Sequence, residues 1–246
     1  GGQVQIRWTM NSAKEQNTDW GFENRRTKLD FQGNVFSKDW TYRVRAAFNQ
    51  GAPRELEANG DVVDNQGANG AAAIDFAYIE KAMDNGMSIR VGQFNAPWMR
   101  EVIVDSAYQL AAERSVLAQL FGQGYSQGVQ FGYEMDNMRF MVGAFDGIGG
   151  QGNFTTGQYN SQNTNWDATP TNYAFAGRAD FKMSGDWSQF DKFSNFTGEG
   201  SGMMAGVAVA YERGNWNAGN SGTPPTSTSN NGVKEFGITG DFTWDF

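Results

Sequence analysis

The sequence predicts an all-β protein of a particular kind, a transmembrane antiparallel β-barrel. Three observations lead there. Ten segments alternate apolar and polar side chains at the period of a strand, whose successive side chains point to opposite faces. The connections between them are alternately short and long. No run of about 18 apolar residues offers a membrane helix, while bulky aromatics gather near strand ends (Trp8, Trp40, Tyr42, Phe48, Tyr78, Tyr133, Tyr173, Trp244), as an interfacial girdle requires.

The first segment, 3–10, sets Val4, Ile6, Trp8 and Met10 against Gln3, Gln5, Arg7 and Thr9. Segment 22–33 sets Leu29 and Phe31 against Asn24, Arg26, Lys28, Asp30 and Gln32. Segment 40–49, WTYRVRAAFN, has an aromatic face of Trp40, Tyr42 and Phe48 and a face carrying Arg43 and Arg45. In segment 74–82, Ile74, Phe76 and Tyr78 read as one apolar face. Segments 87–94, 126–135 and 138–146 continue the alternation with Met87, Ile89 and Val91, then Val129, Phe131 and Tyr133, then Phe140 and Val142. Segments 172–183, 203–213 and 233–246 complete the set. Each is about as long as a tilted membrane-spanning strand.

Residues 34–39, 84–86 and 136–137 are tight turns of turn-forming residues. Residues 11–21, 50–73, 95–125, 147–171 and 214–232 are long and polar. That asymmetry is the one outer-membrane barrels show, with short periplasmic turns and long external loops. Segment 184–202 breaks the rhythm, being long on the short-turn side. A soluble β-sandwich also alternates, but it points its apolar faces inwards.

Composition narrows the function. The formal charge of −8 argues against nucleic acid as a partner. Cys and His are absent, which removes disulfides, thiol nucleophiles, the common zinc sites and any Ser-His-Asp triad, so neither an enzyme nor a cofactor is expected. Glu101, Asp105 and Glu113 are the nearest thing to a hydrolytic carboxylate set. Asp61, Asp64, Asp146 and Asp167 read as solvated loop residues, since their spacing matches no calcium loop.

Loop 95–125 differs from the others. Ser106 and Gln109 have capping-box spacing, and Leu110, Arg114, Leu117 and Phe121 recur at helical spacing before Gly122 and Gly124. The pattern predicts a helix of about four turns. An apolar helix is costly in water, which places it inside the barrel or against a neighbouring chain.

IRVGQFNAPWMRE, then AERS, then GVQFGYEM resemble the phosphate-selective porin O/P family. FENRRTKLDFQGNVFSKDWTYRVR resembles its second hairpin, and AYIEKAM and FAGRADF also fit. The resemblance runs over most of residues 22–183. It implies a general porin barrel of about sixteen strands in the bacterial (Gram-negative) outer membrane. It also implies a homotrimer, and a third long loop folded into the pore as its constriction. Against that number, ten strands over one barrel domain, 1–246, favour the expectation of a partial chain, with Phe246 as a true end the alternative. The family commonly has Lys after the GQF stretch, where this chain has Asn95. The third loop carries Arg100 and Arg114 beside Glu101, Asp105 and Glu113, a mixed set for a phosphate site.

With apolar faces towards lipid, the pore-lining positions are Arg7, Arg26, Lys28, Arg43, Arg45 and Arg90 against Asp30 on one wall. The other wall has Arg139, Arg178 and Lys182 against Glu134, Asp180, Glu235, Asp241 and Asp245. A one-signed wall draws counter-ions, which implies a modest anion preference. The bland counterpart is mutual pairing, Arg26 with Asp30 and Arg178 or Lys182 with Asp180. Three functions follow. The first is a passive channel for small ions and hydrophilic solutes. The second is a structural outer-membrane protein that binds an envelope or surface-layer partner through its loops or segment 184–202. The third is a soluble carbohydrate-binding sandwich with Trp20, Trp98, Trp166, Trp187 and Trp216 as sugar platforms.

Overall fold

The computed structural model describes residues 1–12, 17–48, 55–56, 62–63, 73–111, 113–122, 124–147, 171–194, 200–214 and 233–246. Ten long strands form one antiparallel meander: β1 (Gly2–Asn11), β2 (Asp19–Val35), β3 (Ser37–Ala47), β6 (Ala73–Ala82), β7 (Met87–Phe94), β8 (Ser126–Glu134), β9 (Met138–Phe145), β10 (Thr171–Ser184), β11 (Gly202–Gly214) and β12 (Val233–Asp245). A separate pair, β4 (Glu55–Leu56) and β5 (Val62–Val63), lies within the β3–β6 connection. Every long strand pairs with its sequence neighbour, so the two packed sheets of a sandwich do not form among the described residues. β1 and β12 are the edges of this sheet.

The two faces are inverted relative to a soluble protein. On one, Val4, Ile6, Phe31, Val142, Ile238 and Phe242 stand exposed. On the other, Arg26, Lys28, Arg45, Gln130, Arg178 and Asp180 are buried. A continuous apolar surface of this extent is not tolerated in water, and it is what a sheet facing hydrocarbon presents.

The sheet curls round its polar face. Laid flat, nine inter-strand steps would separate the edges by about 43 Å. Yet Arg100 Nε donates to Thr243 Oγ1 on β12 at 3.1 Å, and Ser106 Oγ donates to Gln3 Oε1 on β1 at 2.8 Å. Six residues of chain reach at most about 21 Å, so both edges must bend towards this one segment.

Two bulges change the expected faces. Gln5 pairs with Arg26 and Ile6 with Asn24, so Arg25 is the extra residue and turns in beside Arg26. Arg45 pairs with Phe76 and Ala46 with Ile74, so Asp75 is extra there. As a result Phe76 and Tyr78 lie on the polar side opposite Arg45 and Arg43, while Ile74 stays outside at 45% exposure. The single apolar face expected for Ile74, Phe76 and Tyr78 is therefore corrected. Gly92 makes a third adjustment. Its φ is +129°, and a Cβ there would sit 2.2 Å from the Ala77 carbonyl oxygen. Only glycine tolerates that backbone.

The four-turn helix expected in loop 95–125 is also corrected. Its place is taken by α1 (Arg100–Ile103), a 3₁₀ turn at Ser106–Tyr108 and α2 (Val116–Phe121). The physical reason is competition for the polar groups. Gln109 donates to the Glu101 and Val104 carbonyls instead of closing a capping box with Ser106. Asp105 caps Ala107, and Ser115 caps α2 through Ala118. The loop root packs in a cluster of Phe94, Ala96 and Trp98 with Phe76, Phe145 and the inward alanines Ala174, Ala176, Ala208 and Ala210. Those alanines leave the space that the loop root fills. A Cβ on Gly237 would lie 2.7 Å from the Trp98 ring, so β12 also makes room.

Candidate functional site

Loop 95–125 meets the polar face through two carboxylates. Glu113 accepts from three arginines: Arg25 Nε at 2.6 Å, Arg7 Nη1 at 2.8 Å and Arg26 Nη2 at 3.2 Å. Asp105 is held by Arg45 Nη1 at 2.6 Å and Arg43 Nη2 at 3.2 Å. The same two arginines close on Asp30 of β2, Arg43 through Nη2 at 2.6 Å and Arg45 through Nε at 2.9 Å. Asp30 and Asp105 thus face each other across two guanidinium groups.

The remaining cations of this half are also matched. Lys28 Nζ lies 2.5 Å from Asp75, and Arg90 pairs with Glu80. Arg43, Arg45 and Arg90 stand over aromatic rings, with Arg43 4.5 Å from the Phe76 centroid and Arg90 4.6 Å from that of Tyr78. Such stacking holds a guanidinium flat while its edge stays free for anions or carboxylates.

Burial by itself would raise the Asp105 carboxyl, but Arg45, the Ala107 N–H and Arg43 together hold it below the ordinary aspartate value. Burial likewise acts upwards on Glu113, and Arg25, Arg26 and Arg7 outweigh it and hold its value down. Both loop carboxylates are therefore ionised at neutral pH and bound to the wall as anions.

The opposite wall is organised around Arg178, whose side chain is 1% exposed. It lies 2.6 Å from Asp180 and donates to Asp241 at 2.7 and 2.8 Å. Arg139 is 2.9 Å from Glu134 and 3.4 Å from Asp191. Lys182 stands over the Trp187 ring. Between the walls and the loop lies a cavity of about 610 Å³, lined by Lys28, Arg43, Arg90, Arg100, Asp105 and Tyr108 among others.

The family model for phosphate-selective porins O and P matches residues 1–212. The chain belongs to that family. It is accordingly an outer-membrane porin of bacteria. No curated protein matches it.

Several residues singled out in the porin's sequence have other partners than expected. Arg178 pairs with Asp180, but Arg26 does not reach Asp30, whose partners are Arg43 and Arg45; Arg26 turns to Glu113 and Gln5. Glu101 and Arg114 brace the loop internally. Arg114 donates to the Glu101 and Val104 carbonyls, and Glu101 accepts from the Ser115 N–H and hydroxyl. The carboxylates of Glu101, Asp105 and Glu113 thus have separate partners and form no hydrolytic pair. Among the proposed sugar platforms, Trp98 is buried and Trp187 half-buried, while Trp20 is exposed. Trp166 and Trp216, the carboxylates Asp61, Asp64 and Asp167, and the Glu235 side chain lie outside the described residues.

Strict alternation missed Arg25, because it would fall on the apolar face of its segment with Leu29 and Phe31. That was itself the signal. A charge on a lipid-facing position is costly, so Arg25 marks a bulge.

Proposed function

We propose that this porin is a passive diffusion channel for small hydrophilic solutes, with a modest preference for anions. The polar face lines its water-filled pore and loop 95–125 narrows it. The pore wall is made by Arg7, Arg25, Arg26, Lys28, Arg43, Arg45 and Arg90, and by Arg139, Arg178 and Lys182 opposite; the bulge at Arg25 and its pairing with Glu113 support its place there. In this reading the sheet forms wall of a closed barrel, and barrels assemble as a homotrimer, an expectation resting on family membership.

One observation carries the anion preference. Among the described side chains, the polar-face ion pairs around β1, β2, β3, β6 and β7 contain seven bases: Arg7, Arg25, Arg26, Lys28, Arg43, Arg45 and Arg90. The carboxylates described in the same pairs number five: Asp30, Asp75, Glu80, Asp105 and Glu113. The loop acids reduce the positive excess of this wall without cancelling it, so the preference is modest rather than strong. The same mixed charge gives no reason for tight phosphate selectivity. Proteoliposomes loaded with polymer test the pore itself. They should swell when small uncharged sugars are added outside, and failure to swell with correctly inserted protein would remove the channel reading.

A further inference from the structure

The β10–β11 connection lies at the end of the sheet where neighbouring strands are joined by tight turns. Part of it packs back onto the strands and loop 95–125. Asp186 opens a 3₁₀ turn over Trp187–Asp191 with a reciprocal capping box to Gln189. Phe190 is 1% exposed. The Trp187 indole donates to the Met135 carbonyl at 3.0 Å, and the Arg139 guanidinium lies 4.5 Å from its ring. The chain then crosses to the loop that comes from the other end of the strands. The Phe193 N–H donates to the Tyr108 carbonyl at 2.9 Å, and the Arg100 guanidinium lies 5.0 Å from the Phe193 ring. Phe190 and Asp191 line the same cavity of about 610 Å³ as Asp105 and Tyr108.

A hairpin needs about two to five residues. A longer one with a buried aromatic anchor and a hydrogen bond to the constriction loop has been folded there for a reason. We propose that Trp187–Phe193 is a second constriction, a floor at the short-turn mouth. With loop 95–125 it encloses a chamber and sets the size limit of the solute; Phe190 and Asp191 line that chamber, and Phe193 anchors the floor to the loop. The chamber volume falls in the range of about 300–1,000 Å³ typical of small-molecule sites, which fits single small hydrophilic molecules rather than polymers. The contact with Tyr108 also fixes the height of the loop, so the two constrictions are mechanically joined. This deepens the channel reading and rests on it.

The test uses the full chain in a planar bilayer. The protein has no cysteine, so in a Phe193→Cys variant a thiol reagent meets one target only. Current is recorded through the same inserted channels before and after a bulky thiosulfonate is added on the short-turn side, which makes folding of the variant no issue. A stepwise fall in current that deepens with reagent size supports the floor. In parallel, Phe193→Ala should raise conductance and admit larger polyethylene glycols than the unaltered protein. Unchanged current on modification, with unchanged conductance and cut-off for Phe193→Ala, overturns the floor while leaving the channel intact. Absence of conductance in the unaltered protein is the separate failure of the channel reading.

Discussion

Arg45 on β3 and Asp105 in loop 95–125 are joined by a contact of 2.6 Å. Arg45 is at the same time held by Asp30 of the neighbouring strand. Strand β3 and loop 95–125 therefore share one guanidinium, so in the proposed pore the position of the loop and the charge of the wall depend on the same residue. Replacing Asp105 by Asn removes the anion but keeps the shape. The expected cost is about 1–3 kcal/mol of loop anchoring, the usual penalty for leaving a part-buried charge without its partner. The visible outcome is noisier, larger single-channel current.

Glu113 occupies three arginines at once, so Glu113→Gln should uncover more positive potential than any strand substitution. Anion preference should rise, seen as a larger shift of the reversal potential in the anion direction. An unaltered reversal potential would mean that the Arg7, Arg25 and Arg26 cluster lies away from the conducting path.

The acid behaviour follows from the same two carboxylates. Both have values below their ordinary 3.8 and 4.5. A depressed carboxylate contributes stability that is present above its ordinary value and lost as pH falls through the lowered one. Conductance should therefore be constant from neutral down to about pH 5, and loop release should appear only below about pH 4. Recording across that range checks it, and a transition near pH 6 would contradict it.

Lys28 and Asp75 form a pair whose side chains are 8% and 2% exposed. Asp75→Ala leaves a buried ammonium alone and should cost about 3–5 kcal/mol. Thermal unfolding in detergent would show it as a clear drop in midpoint. An unchanged midpoint would mean that water reaches Lys28 freely.

How much of this could be read from the sequence depended on whether one strand or two elements were involved. Val4, Ile6, Trp8 and Met10 against Gln3, Gln5 and Arg7 carry the strand and both its faces in eight residues, and β1 forms as expected. The bulge at Asp75 was out of reach of simple alternation, because a bulge is a property of two paired strands. The loop helix failed for a related reason. The groups that would have capped a long helix were drawn to Glu101, Val104 and the arginine wall instead. The inward alanines Ala174, Ala176, Ala208 and Ala210 are small where a lining residue is expected to be polar. In sequence they say only that something else fills the space; the structure shows that it is the loop root around Trp98.

In the proposed ion-conducting pore, Arg43 and Arg45 face the permeating solution. The most direct measurement is single-channel current and reversal potential in a salt gradient, for the unaltered porin and for Arg43→Ala with Arg45→Ala. Discrete steps with anion preference, lowered in the double variant, are the predicted result. Clear cation preference, or no steps from protein shown to be folded and inserted, would contradict it.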